Sequence, residues 1–289
     1  MGLRKIFKMK KKLPAEKEIH IGNYRLLANY EHALDEYLKL YKDYSVNFPR
    51  IAKYLEAKYP AFTIIDVGAN IADTIALLRC QDVYQPIYAI EGDPVYFRYL
   101  QKNVRQFDDV SIYQTFLGEH SSTENVNIDN SLGTAKISIG EGDVTHVMML
   151  DDLVSEKEIR NIKLLKIDTD GYDLKILRGS FKTIVQYQPI LFFEYDAVFL
   201  KEQGEDGLRI FKLLSDMNYN QILYYDNYGR FLLSAEISNE KLLKQLYAYI
   251  DQKKGAFPYY DVCVFHRDDD LLAEQIIEKE MEFYSDKPL

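Results

Sequence analysis

Apolar residues fall along the chain in two rhythms, and the points where one yields to the other predict its elements. From Thr63 to Val67 the β-branched Thr63, Ile64, Ile65 and Val67 form a run suited to a strand covered on both faces, interrupted only by Asp66. Gly68 then permits a close turn, and Ile71 to Leu78 reads as a helix. The same change recurs downstream. Pro86 to Glu91 predicts a second strand, Asp93-Pro94 a capped helix start leading to Phe97, Leu100, Val104 and Phe107, and Val110 to Leu117 a third strand. Lys163 to Asp168 and Gln188 to Glu194 add two more, separated by a helix from Asp173 to about Ser180.

The flanks are patterned differently. Ile19 to Ala28 reads as a short strand or an ordered lead-in; Leu34, Tyr37, Leu38 and Tyr41 then keep helical spacing, as do Ile51, Tyr54, Leu55 and Tyr59 after Asn47-Phe-Pro49. Glu119 to Thr145 is rich in Ser, Asn, Gly and Thr, with short alternating segments around Ala135 to Ile139, which predicts a hairpin or binding-site insertion before a short helical connection near Met148 to Val154. Leu208, Phe211, Leu214 and Met217 mark a helix, Gln221 to Leu233 a hairpin, Leu242 to Ile250 a helix, Tyr259 to His266 a late strand, and Leu271 to Met281 an acidic helix.

Strands alternating with helices predict an α/β architecture: a mostly parallel central sheet, flanking helices and an antiparallel C-terminal edge. No repeat or long linker divides it. The expected organisation is a basic tail and N-terminal helical extension over 1–62, a core over 63–268 with an insertion at about 119–147, and a C-terminal helix and tail over 269–289.

Charge narrows the function. With 36 basic and 45 acidic residues the net charge is -9, which argues against gripping nucleic acid as the main task, so no nucleic-acid partner is expected. No apolar run approaches the roughly 20 residues of a membrane span. A cytoplasmic protein is expected. In the basic stretch from Met1 to Lys17, seven lysines and arginines surround Leu3, Ile6, Phe7 and Met9. It reads either as a solvated tail or as an amphipathic segment in peripheral contact with an anionic membrane. Cys80 and Cys263 are expected to be buried free thiols, and His120, His146 and His266 solvated or structural rather than a zinc triad. The 24 tyrosines suit a carbohydrate site as well as packing, with packing favoured by composition alone. Oligomeric state is not set by any of these patterns.

Three acids stand where strands yield to loops, Glu91, Asp168 and Glu194, with Asp66 just before its own turn. In a parallel sheet those ends share one rim. A carboxylate after the second strand, here Glu91, can accept hydrogen bonds from both hydroxyls of a ribose. The Asp66-Val-Gly-Ala-Asn70 turn lacks the three-glycine dinucleotide fingerprint, and no phosphate-loop lysine follows. An adenosine cofactor carrying an amino acid fits better than NAD or ATP.

On these residues the sequence resembles the FkbM-family methyltransferases of the class I S-adenosylmethionine-dependent superfamily. The landmarks are Ile65-Asp-Val-Gly-Ala-Asn-Ile71, Glu91, Lys166-Ile-Asp-Thr-Asp-Gly-Tyr-Asp173 with Leu177-Arg-Gly179, and Pro189 to Glu194, together covering most of Thr63 to Tyr195. The resemblance implies a Rossmann-like methyltransferase fold, S-adenosylmethionine as cofactor, and methyl transfer to a hydroxyl of a sugar, glycan precursor or small metabolite. A small-molecule N-methyltransferase and a non-catalytic nucleotide- or glycan-binding module are the alternatives.

Carried over by residue, Gly68 with Asp66 and Asn70 would shape the cofactor's amino-acid end, Glu91 would hold its ribose, and Leu117-Gly118-Glu119 would approach adenine. Ala72-Asp73 stands where many relatives carry Gly and then an aromatic or polar residue. Asp168 is the first choice to orient or deprotonate an acceptor hydroxyl, Asp170 a rival or orienting partner, and Glu194 an organiser of the acceptor pocket. Against these roles stand simpler ones: Asp168 binding backbone groups, Asp170 capping the next helix, Glu194 completing a buried network. A divalent ion on Asp168, Asp170 and Glu194 is compatible with their hard oxygens, though no full ligand set can be read.

Overall fold

The computed structural model describes residues 15–131, 134–139, 143–251 and 257–285. All but the last three residues of the basic Met1 to Lys17 stretch, and with them its membrane-contact reading, lie outside the described residues. The described chain opens with a hairpin of β1 (Glu16–Ile21) and β2 (Tyr24–Asn29), so the extension before the sheet is not wholly helical. Ile19 and Ile21 of β1 point inward with Leu26 and Ala28 of β2. Helices α1 (Leu34–Leu40) and α2 (Asn47–Leu55) follow. The second begins before Pro49 rather than after it, because a proline in the first turn sacrifices no N–H that the helix needs.

Then comes the alternating body: β3 (Thr63–Val67), α3 (Asp73–Cys80), β4 (Ile87–Ile90), α4 (Pro94–Asn103) and β5 (Val110–Tyr113). The Asp93 side chain caps α4 by accepting from the N–H groups of Val95 and Tyr96. The single strand expected from Val110 to Leu117 is two. After β5 the chain leaves the main sheet, and β6 (Phe116–Leu117) joins a small four-stranded sheet with β7 (Ser122–Ser131), β8 (Thr134–Ile139) and β9 (Asp143–Met148), in the order β6-β9-β7-β8. The polar insertion is thus a β-hairpin plus one returning strand.

Helix α5 (Leu150–Glu156) leads back to β10 (Ile162–Ile167), followed by α6 (Asp173–Arg178), α7 (Phe181–Tyr187), β11 (Ile190–Tyr195), α8 (Ala197–Glu202) and α9 (Arg209–Asp216). The chain closes with β12 (Tyr219–Asp226), β13 (Phe231–Glu236), α10 (Glu240–Asp251), β14 (Tyr260–His266) and α11 (Asp270–Ser285).

The main sheet has the order β13-β12-β14-β11-β10-β3-β4-β5. From β11 to β5 every pairing is parallel; β14 runs against both β11 and β12, and β13 against β12. This is a Rossmann-like sheet whose reversed strands lie in its C-terminal half. The strand order turns back between β3 and β10, and in open α/β sheets ligands bind outside the carboxyl ends of the strands at such a point.

Strand side chains alternate between two cores. Ile64, Leu164, Ile190 and Phe192 pack under α2, α3, α4, α11 and the hairpin, while Ile65, Val67, Leu165, Ile167, Leu191 and Phe193 pack against α5, α6, α7, α9 and α10. Asp66 and Lys166 are partners in register and share the face of Ile64 and Leu164. Cys263 is buried as expected, whereas Cys80, at the last turn of α3, is exposed; both are free thiols. Among the described residues no helix is long and apolar enough to cross a membrane.

Candidate active site

At the turning point of the sheet the loops after β3 and β10 touch through main chain. Gly68 has φ +82, and a β-carbon built on it would lie 1.9 Å from the carbonyl oxygen of Asp168. The N–H of Asp168 donates to Val67 O at 3.0 Å, and those of Gly68 and Ala69 donate to Ile90 O at 2.9 and 3.0 Å. Only glycine satisfies both the backbone conformation and the approach.

A narrow cleft of about 60 Å³ opens beside this contact, lined by Gly68, Asn70, Glu91, Tyr96, Thr115, Phe116, Leu117 and Tyr172 among others. Glu91 is the acidic group that belongs to this cleft alone, and Asp168 and Asp170 lie at its edge. Glu91 Oε2 accepts from Asn70 N at 2.9 Å and its Oε1 from Asp93 N at 2.8 Å, leaving further acceptor capacity on each oxygen. Burial pushes the Glu91 carboxyl up to about 7, against the two N–H groups that favour its ionised form. Asn70 is held from the other side by His32. Leu34 N–H donates to His32 Nδ1 at 3.3 Å, which puts the ring proton on Nε2, where it faces Asn70 Oδ1 at 3.2 Å. Burial lowers the His32 pKa and keeps the ring neutral.

A second, wider cavity of about 450 Å³ lies across the contact. His32, Tyr44, Lys166, Glu194, Tyr259 and Asp261 line it, and Gly68, Asn70, Asp168 and Asp170 form a wall common to both spaces. Lys166 reaches up from the doubly buried β10 with Nζ 3.1 Å from Asp168 Oδ2 and 3.4 Å from Asp66 Oδ1. The two carboxylates outweigh desolvation and hold the lysine above its ordinary value. Burial pushes Asp66 to about 6 although Lys166 opposes it, and pushes Asp261 to about 7 although Asn47 Nδ2 donates to its Oδ2 at 2.9 Å. Glu194 is raised by burial first and then by Asp168 and Asp170.

The family described as the methyltransferase FkbM domain matches residues 66–220, more than half of the chain. The chain belongs to this FkbM methyltransferase family. Solved structures similar to it include the FkbM methyltransferase of Methylobacillus flagellatus KT, at 17% identity and a TM-score of 0.41 over 56% of this chain and 40% of that one. Precorrin-6y C5,15-methyltransferase of Geobacter metallireducens GS-15 aligns at 11% identity and a TM-score of 0.37, covering 71% of this chain and 80% of its own. TYW2 of M. jannaschii, in complex with AdoMet, aligns at 11% identity and a TM-score of 0.39, covering 87% and 84%. This chain therefore spans less than half the length of the first of these structures. No curated protein matches it.

Within the FkbM domain the residues expected from sequence separate into two groups. Gly68, Asn70 and Glu91 line the narrow cleft, and Asp168 and Asp170 stand on the common wall. Asp66 and Gly118 line neither. Asp66 lies on the inner face of β3, fully buried, with Lys166 Nζ 3.4 Å from its Oδ1. Gly118 is a packing glycine: its own β-carbon would meet Val147, and its carbonyl oxygen lies 2.1 Å from where a β-carbon of Gly179 would be. Thr115, Phe116 and Leu117, just ahead of it, line the cleft instead. Among the described residues no three His, Cys, Asp or Glu side chains gather as a metal site, so Asp168, Asp170 and Glu194 do not form the ligand set considered for a divalent ion.

Sequence reasoning missed His32, Tyr44, Lys166 and Asp261 as lining residues. Lys166 carried a signal, since a lysine inside a strand buried on both faces needs a carboxylate partner. The other three come from outside the FkbM match and carried none.

Proposed function

We propose that the protein transfers a methyl group from S-adenosylmethionine to a hydroxyl oxygen of a sugar, glycan precursor or other small polar metabolite. The observation that carries this reading is the common wall, which brings a narrow cleft bearing Glu91 and a wider polar cavity onto opposite sides of Gly68, Asn70, Asp168 and Asp170.

The residues present fit the cofactor. Glu91 retains acceptor capacity on both oxygens for ribose hydroxyls, Phe116 and Leu117 offer apolar surface for a base, and the Gly68 turn leaves backbone where a side chain would obstruct. When bound, S-adenosylmethionine supplies a methyl group on a positively charged sulfur, already activated for displacement. The protein's work is then alignment and proton handling. Lys166 holds one oxygen of Asp168, and the other oxygen of this half-exposed carboxylate is left to orient an acceptor hydroxyl and take its proton. Asp170 borders the same space and is the second candidate for that contact.

The acidic lining of the cavity supports one further reading, methylation of an amine nitrogen. Incubation with labelled S-adenosylmethionine and matched panels of hydroxyl and amine acceptors, with the product identified by mass spectrometry, separates the two. Label on oxygen supports the proposal and label on nitrogen replaces it. Binding of the cofactor without transfer to either panel would leave only a binding module.

A further inference from the structure

Resting on the methyl-transfer reading, the geometry points to an acceptor that carries a protonated amine alongside its reacting hydroxyl, such as an amino sugar, with the ammonium held by Glu194 and Asp261.

The two residues are directly paired in register across β11 and β14, so both carboxyls leave the sheet on one face, roughly 5 Å apart at their β-carbons. Like charges placed opposite each other in this way are unfavourable unless something offsets them. Asp261 has a neutral partner in Asn47. Glu194 is 9% exposed, faces the cavity, and has no hydrogen bond or ion pair among the described residues.

Among the described residues no cation forms an ion pair with Glu194 or Asp261, and the nearest, Lys166, acts on Asp261 only at longer range. The cavity lining holds six carboxyls, from Asp73, Asp168, Asp170, Glu194, Asp196 and Asp261, against the single lysine Lys166, which is engaged by Asp168 and Asp66. His32 is neutral, and Asp196 is occupied in capping α8 through the N–H groups of Val198 and Phe199. On their own Glu194 and Asp261 are pushed by burial toward their protonated forms; an ammonium would stabilise them as carboxylates and hydrogen-bond to them, whereas a neutral hydroxyl supplies only the hydrogen bond. Tyr44 and Tyr259, on the same cavity, add aromatic surface of the kind that cations favour. A metal ion is the weaker occupant, because no third His, Cys, Asp or Glu joins the pair among the described residues.

The spacing suits a sugar. Asp168 follows β10, Glu194 lies on the adjacent β11, and Asp261 on β14 beyond it. Neighbouring strands are about 4.8 Å apart, so the pair stands on the order of 5 to 10 Å from the common wall, the separation between an amino group and a remote hydroxyl on one ring or its neighbour.

The test uses pairs of nearly equal shape: glucosamine against glucose, galactosamine against galactose, and ethanolamine against ethylene glycol. Binding to the full chain is measured by calorimetry at pH 7, and methyl transfer is followed on the same compounds. The amines are expected to bind about tenfold more tightly than their neutral counterparts, as one charge-assisted contact would give. Glu194→Gln, which keeps size and removes charge, should abolish that preference, and Glu194→Asp should retain part of it. Equal affinity within every pair, or a preference unchanged in Glu194→Gln, overturns the inference. Equal methylation of amine and neutral sugars would also overturn it while leaving methyl transfer intact. An amine preference dependent on Glu194, with no transfer to any acceptor, would sustain the ammonium site and sink the methyl-transfer reading.

Discussion

The carbonyl oxygen of Asp168 occupies the space that a side chain on Gly68 would require, 1.9 Å from the ideal β-carbon position. This contact locks the loop after β3 to the loop after β10. Gly68→Ala would add an unfavourable left-handed backbone to the clash. It is expected to lower the melting temperature and to abolish measurable S-adenosylmethionine binding in a titration. Unchanged affinity would show that the narrow cleft is not the donor site.

Ala72 presents the opposite case. It precedes α3 with φ +75, in the left-handed region that costs an L-residue roughly 1–2 kcal/mol. Ala72→Gly is expected to relieve this and raise the denaturation free energy by about 1 kcal/mol or less, the greater freedom of the unfolded glycine offsetting part of the gain. Urea denaturation reads the difference directly.

Asp168→Asn preserves shape while removing the proton acceptor. Methyl transfer should fall by about 10²- to 10⁴-fold in kcat, with little change in S-adenosylmethionine affinity. Asp170→Asn is expected to cost less. A reversed order in single-turnover assays would move the proton-accepting role to Asp170.

The buried carboxyls make stability depend on pH. Glu91 and Asp261 are held at about 7 and Asp173 at about 8, from ordinary values of 4.5, 3.8 and 3.8, with burial the leading cause in each. Between the ordinary and raised values such a group is protonated in the fold and ionised in the unfolded chain. Folding then takes up protons, and stability falls as pH rises, by about 1.4 kcal/mol per unit for one fully linked proton. His32 and His266, both lowered by burial, work in the other direction at and below their ordinary value of 6.5. The melting temperature is therefore expected to fall from pH 6.5 to 8. Glu91→Gln should flatten part of that slope.

Arg50 on α2 and Glu280 on α11 form a buried pair with contacts of 2.8 Å from Nε and 2.6 Å from Nη2, and the guanidinium carbon lies 4.1 Å from the centre of the Phe283 ring. Removing one partner strands a charge in the interior, at a cost of about 3–5 kcal/mol. Glu280→Ala should show that loss in urea denaturation. Arg50→Met combined with Glu280→Met should recover much of it.

The sequence made the parallel body of the fold legible because strands buried on both faces leave long β-branched runs, and because Asp93-Pro94 announces a helix start by local chemistry. It disguised the break between β5 and β6. Val110 to Leu117 reads as one strand-like stretch with Gln114 and Thr115 inside it, but its two parts pair with different sheets, and partner choice is a long-range matter. Gly68, Asn70 and Glu91 could be placed from strand ends alone. For Asp66 position near a strand end says less than alternation does: its neighbours Ile65 and Val67 face one core, which turns Asp66 toward the other face, against Lys166. Gly118 illustrates the same limit for glycine, whose close neighbour can be protein backbone rather than a ligand.

The narrow cleft is built within residues 66–220, whereas the wider cavity borrows His32 and Tyr44 from ahead of that segment and Tyr259 and Asp261 from behind it. Substitutions confined to those flanking segments would therefore reshape the wider cavity directly and reach the narrow cleft only through shared neighbours, such as the contact of His32 with Asn70.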